Sequence, residues 1–213
     1  MAVQYRRDTV ELELKRIYGG GLWKQARKAV DRLVSVSLVW PRPLVAERVA
    51  ARPHQFDRDG LNLEDRDWSE RILFKENVEG PFGIVVQVSE TLTAQQVAKI
   101  TGALGAAVLQ AAGSEAARLA AGPLLTSLAR FPFTQLAGEL SGFGKTPRVV
   151  ASGRTTVIPG TPGPIDVDLT VPGDVVRVRR VRTGGRARTR REIIHRQGEP
   201  AGTVRLEATY YRG

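Results

Sequence analysis

Residues 138–147 read GELSGFGKTP, and a glycine-rich run ending in Gly144-Lys145-Thr146 is where a phosphate-binding loop would place its lysine. Such a loop needs the spacing G-x-x-x-x-G-K-[ST] between a strand and a helix, so that backbone N–H groups and the helix N-terminus surround the phosphates. Counting back from Lys145, the first glycine should stand where Glu139 is, and Gly138 comes one residue too early. The flanks also run in the wrong order, helical before and strand-like at Arg148-Val149-Val150 after. The stretch reads instead as a border, with Gly138, Gly142 and Gly144 as hinge positions.

Other chemistry fares no better. There is no cysteine, which removes thiolate nucleophiles, disulfides and Cys-ligated zinc. The only histidines are His54, in a proline-flanked loop, and His195, at a strand end among arginines. Two histidines offer too few ligands for a transition-metal site, although carboxylate sites stay open. No serine sits in a nucleophile elbow and no H-E-x-x-H occurs. Asp166 and Asp168 share one face of a strand, which alternation explains as its solvated side. The expectation is a protein that is not an enzyme, with no cofactor and no small-molecule substrate.

Two charged stretches point to binding. Asp57, Asp59, Asp65 and Asp67, with Asn62 and Glu64 around Gly60, carry hard oxygen ligands of the kind calcium takes. The spacing is not that of an EF-hand, and Arg58 and Arg66 neutralise part of the charge, so a solvated acidic loop ranks ahead of calcium. The second stretch is 177–196, RVRRVRTGGRARTRREIIHR. Its Arg177, Arg179, Arg180, Arg182, Arg186, Arg188, Arg190 and Arg191 crowd one hairpin turning at Gly184-Gly185. Guanidinium groups suit bidentate contact with phosphate, on lipid headgroups or on nucleic acid. Aromatic stacking partners are missing from the run, which weakens single-strand binding.

The charge balance follows the same division. Net charge is +10; residues 142–213 hold 14 basic and 6 acidic residues (+8), while 57–79 hold 4 basic and 8 acidic (−4). An anionic partner, or self-association of opposite patches, fits this asymmetry as well as simple solubility does.

The elements that must position these residues come from periodicity. Val10, Leu12 and Leu14 alternate with charges, as in a half-buried strand. Leu22, Ala26, Ala29 and Leu33 predict a helix over 22–33. Val34, Val36, Leu38 and Trp40 return to period two until Pro41 and Pro43. Ile72–Phe74 and Phe82–Val88 predict two strands with a hairpin turn at 77–81. Residues 91–141 hold 13 alanines. Thr93 and Gln96 form a capping-box pattern, and Val97, Ile100, Leu104 and Val108 recur at helical spacing. This predicts a helix over 93–112 and shorter ones near 114–121, 123–130 and 132–140. From 147 onward the chain reads as strands at 148–151, 155–158, 165–170, 175–182, 188–195 and 203–211. Ser152-Gly153 and other Pro- and Gly-rich turns separate them.

The fold class expected is α+β, mainly β: an antiparallel β-sandwich built from 1–90 and 147–213, interrupted by an Ala-rich helical insertion over about 91–141. The insertion module extends to 146 through its Gly-rich exit linker. A sandwich with an acidic loop and basic strands loosely resembles the C2-like membrane-binding modules, on no specific motif, so it assigns no residues. Long uncharged runs in the helical segment, with Leu124, Leu125 and Leu128 beside the residues above, suggest contact with a membrane or between subunits. Each run is shorter than a spanning helix needs. No secretory signal is expected at the N-terminus, and the expected location is cytoplasmic, or peripheral to a membrane. The preferred function is a homo-oligomeric, non-enzymatic β-sandwich that self-assembles or associates with anionic membranes through the helical module and the arginine hairpin. The alternatives are a nucleic-acid-binding protein and a structural subunit of a larger assembly.

Overall fold

Alternation along the first strand is the start of a nine-stranded antiparallel sheet. The structure is a computed structural model, and it describes residues 7–25, 28–41, 48–98, 147–183 and 186–212. Strand β1 (Arg7–Tyr18) buries Val10, Leu12 and Leu14 completely and points Glu11, Glu13 and Lys15 outward. It is followed by β2 (Val30–Val39), β3 (Arg48–Phe56), β4 (Gly60–Asn62), the one-turn helix α1 (Trp68–Arg71), β5 (Ile72–Glu79) and β6 (Phe82–Thr91). After residue 146 come β7 (Val149–Val157), β8 (Gly163–Thr170), β9 (Val175–Thr183), β10 (Arg186–His195) and β11 (Pro200–Arg212).

The main sheet runs β3-β2-β6-β7-β8-β11-β1-β4, with β5 also on β1. Strands from both halves of the chain therefore form one sheet: β6 pairs β7, and β1 pairs β11. One edge of β1 is occupied by β11. The other is shared, with β5 on its first half and β4 on Arg16–Tyr18. Register shifts at Leu14/Arg16, Arg32/Val34 and Val88/Ser89 place an extra residue in a strand, which bends it and sharpens the twist. The sheet curls until its end strands approach: Arg48 on β3 lies 3.7 Å from Glu76 on β5, and Arg52 Nη1 donates to the Ser69 and Glu70 carbonyls of α1 at 2.7 and 3.1 Å.

The architecture is thus mainly β and antiparallel, as expected, but the sheet is barrel-like rather than clearly a two-layered sandwich. The difference follows from the bulges and the shared edge of β1, which curve one sheet around one core. That core is filled from all sides, by Leu14 against Leu206, Val36 against Val86, Val204 against Val167, and the Trp23–Phe56 ring pair at 5.1 Å.

Three local expectations are corrected. The helix over 22–33 is a 3₁₀ turn at Trp23–Gln25, and β2 begins at Val30. Strand pairing on both sides, to β3 and β6, outweighs the helical spacing, and Trp23 is drawn into the core at 1% exposure. Ala26 lies outside the described residues. The 77–81 segment is not a hairpin turn: β5 runs on through Glu79 on β1, while β6 departs to β2 and β7. Gly80, at φ 82°, turns the chain between these two neighbourhoods. Ser152-Gly153 lies inside β7; a Cβ at Gly153 would collide with the Asp168 carbonyl of β8, so glycine serves a close strand approach here.

The capping box at Thr93 forms as its pattern implies. Thr93 N–H donates to Gln96 Oε1 at 2.9 Å, and Gln96 N–H to Thr93 Oγ1 at 3.2 Å, opening a helical turn at 94–98. The remaining helical expectations, with Ile100, Leu104, Val108, Leu124, Leu125, Leu128 and the hinge glycines, lie outside the described residues.

Candidate arginine ribbon and barrel mouth

The arginine run forms a separate two-stranded antiparallel sheet of β9 and β10. Its register sets Arg177 opposite Glu192, Arg179 opposite Arg190, Val178 opposite Arg191 and Val176 opposite Ile193. Directly opposed residues share a face, so Arg177, Arg190 and Glu192 lie on one side. On the other, Val176, Val178, Ile193 and Arg191 lie together, and the three apolar side chains are 41%, 59% and 52% exposed. The ribbon is amphipathic, with an uncovered apolar strip beside guanidinium groups. The backbone of Arg180, Arg182, Arg186 and Arg188 continues the same ladder toward the tip.

Hydrogen bonds fix the ribbon to the barrel at its base. Arg148, just before β7, donates from Nη2 to the Gly173 and Asp174 carbonyls that lead into β9. Asp174 Oδ1 accepts the Gln197 N–H at 2.9 Å, joining the start of β9 to the end of β10. The Val171 N–H donates to the Glu199 carbonyl, and the Gly198 N–H to the Val171 carbonyl. His195 is buried at 8%, with Nδ1 3.3 Å from Glu199 Oε2.

Between this base and the open end of the barrel lies a cleft of about 300 Å³. Val30, Val150, Val175 and Ile194 are among its apolar lining; Arg32, Glu90, Thr91, Arg148 and Arg177 are polar. Arg32 is the innermost charge, 8% exposed. Its guanidinium lies 5.3 Å from the Trp23 ring and 5.9 Å from the Phe56 ring, and Nη1 donates to the Ser89 carbonyl at 2.9 Å. Nε is buried with no hydrogen-bond partner. Burial pushes this guanidinium below its ordinary pKa, with Glu90 opposing the shift. Reading 22–33 as a helix conceals this residue. The signal is nevertheless in the sequence, because Val30, Arg32, Val34 and Val36 share one phase of a strand and put a charge in line with the core.

Asp57 Oδ1 accepts the Asp59 N–H, and Asn62 Oδ1 accepts the Glu64 N–H, so both side chains close their own turns. Asp65 and Asp67 lie beyond β4, exposed. Among the described residues no group of three or more His, Asp or Glu side chains gathers as metal ligands would. Asp166 and Asp168 face outward as expected: Asp166 holds Arg205 in a bidentate pair at 2.9 Å, and Asp168 accepts from Thr203. The Arg205 guanidinium draws the Asp166 carboxyl below its ordinary pKa.

Among the described residues no helix is long and apolar enough to cross a membrane. The strand pattern adds a separate point: a lipid-facing barrel wall is apolar outward, whereas Glu11, Glu13, Lys15, Asp166, Arg205 and Glu207 form ion pairs on the outer face here. Comparison with family models, curated proteins and solved structures finds no match to this chain.

Proposed function

We propose that this chain is a non-enzymatic, barrel-like β protein that associates with anionic membrane surfaces through its arginine ribbon. The observation that carries the reading is the exposed strip of Val176, Val178 and Ile193 with Arg191 on the same face of the ribbon, and Arg177 and Arg190 on the opposite face. Interfacial binding combines buried apolar area with attraction to anionic headgroups, and this ribbon offers both. Each basic residue near such a surface contributes about 1 kcal/mol.

A second reading rests on shape. A two-stranded ribbon is an element that the major groove of a duplex admits. It gives no role to the exposed apolar strip, which is why the membrane ranks first.

Flotation with phosphatidylserine-containing vesicles tests the choice. The protein should float with these and stay behind with neutral phosphatidylcholine. Val176→Ser/Val178→Ser/Ile193→Ser and Arg190→Glu/Arg191→Glu should each weaken binding at least ~10-fold, from a loss of roughly 2 kcal/mol or more. Absence of flotation, with duplex DNA bound on a steep salt slope, would transfer the ribbon to nucleic acid. A concentration-dependent dimer abolished by the serine variant, without flotation, would assign the strip to self-assembly.

A further inference from the structure

The cleft at the barrel mouth has its own chemistry, although Val176 and Arg177 of the ribbon also line it. Mouths of β-barrels are frequent small-ligand sites, and about 300 Å³ is enough for a small molecule. The lining carries three arginines, Arg32, Arg148 and Arg177, against the single carboxylate of Glu90. Arg148 is committed to the Gly173 and Asp174 carbonyls. Arg32 is different: it is more than nine-tenths buried, held between the cleft and the Trp23 and Phe56 rings, and its Nε–H has no partner. Its Nη1 bonds only the neutral Ser89 carbonyl, and a buried guanidinium charge that no anion binds is costly. Thr91 apart, the remaining wall is aliphatic: Leu22, Val30, Val150, Val175, Val176 and Ile194.

We propose that the barrel mouth binds a small amphiphilic anion, a carboxylate or phosphate monoester on a short alkyl chain, with its head toward Arg32 and Arg177 and its chain along Val30, Val150 and Val175. The charge selects an anion, the aliphatic wall selects an apolar tail, and the volume limits that tail to a short one.

Isothermal titration calorimetry with octanoate and octyl phosphate tests this, with octanol and octylamine as neutral and cationic controls. At least one anion should bind saturably at one site, and the controls at least ~10-fold more weakly, since a charge-assisted hydrogen bond contributes more than that factor. Which anion binds better identifies the headgroup. Arg32→Met should weaken binding at least ~10-fold while leaving vesicle flotation unchanged, which separates this site from the ribbon. Val176→Trp, at the exposed rim, should block the cleft sterically and serves if Arg32→Met does not fold. The site is refuted if neither anion binds saturably, if octanol binds as well, or if binding survives in both variants.

Discussion

Three basic side chains interrupt the apolar faces of the sheet, and each is held differently. Arg32 rests on aromatic rings, and Arg52 on the carbonyls of α1. His54, on β3, is partly buried, and its Nε2 has no hydrogen-bond partner. Burial first, and the neighbouring Arg52 second, push its imidazole down to about 4 from 6.5. Between those two values the unfolded chain holds more protons at this position than the folded one, so stability rises with pH. His54 therefore costs nothing above about pH 6.5 and destabilises progressively as pH falls toward 4. A shift of this size corresponds to about 3 kcal/mol. Urea denaturation from about pH 7 to 4 should show that loss, and His54→Gln should flatten it. An unchanged acid limb in the variant would assign the loss to other groups.

Strand β1 organises its neighbours because its outer edge serves two of them. The short β4 attaches only at Arg16–Tyr18, and Gly60 makes that attachment possible. Its φ is 116°, and a Cβ there would overlap the Ile17 carbonyl oxygen. Gly60→Ala should cost about 1–3 kcal/mol from backbone strain, with further loss from the clash. Gly160 is the control: at φ 99° it is strained in the same sense, but a Cβ meets nothing within 4 Å. Gly160→Ala should therefore be clearly milder in the same urea titration, and equal losses would remove the contact as the cause.

Closure of the barrel depends on a seam that no strand ladder spans among the described residues. Arg52 and the Arg48–Glu76 pair bridge it by side chains. The two bridges should differ in strength. Arg52→Ala removes two charge-assisted bonds in a buried setting and should cost about 2–3 kcal/mol. Arg48 and Glu76 are 30% and 26% exposed and 3.7 Å apart, so Arg48→Ala should cost below about 1 kcal/mol. Thermal and urea unfolding of both variants measure the ranking; a reversed order would place the closure on the Arg48–Glu76 pair.

Patterns confined to a few neighbouring residues are legible in the sequence alone. Val10-x-Leu12-x-Leu14 and Val204-x-Leu206-x-Ala208 announce buried strand faces, because side chains alternate along any strand. Thr93 and Gln96 announce a helix start, because both of their bonds span three residues. Gly184-Gly185 between two arginine-rich strands announces the ribbon. Partnership is not legible in this way. Nothing local at Asn77–Pro81 says that β5 remains on β1 while β6 leaves for β2, and nothing local at Ser152-Gly153 says that β8 passes close by. The inward burial of Arg32 likewise depends on β2 pairing with β3 and β6, and the cleft above it on where Arg148 ties down the ribbon. Periodicity belongs to one segment of backbone, whereas strand order, curvature and enclosed space arise only when distant segments satisfy one another's hydrogen bonds around a shared core.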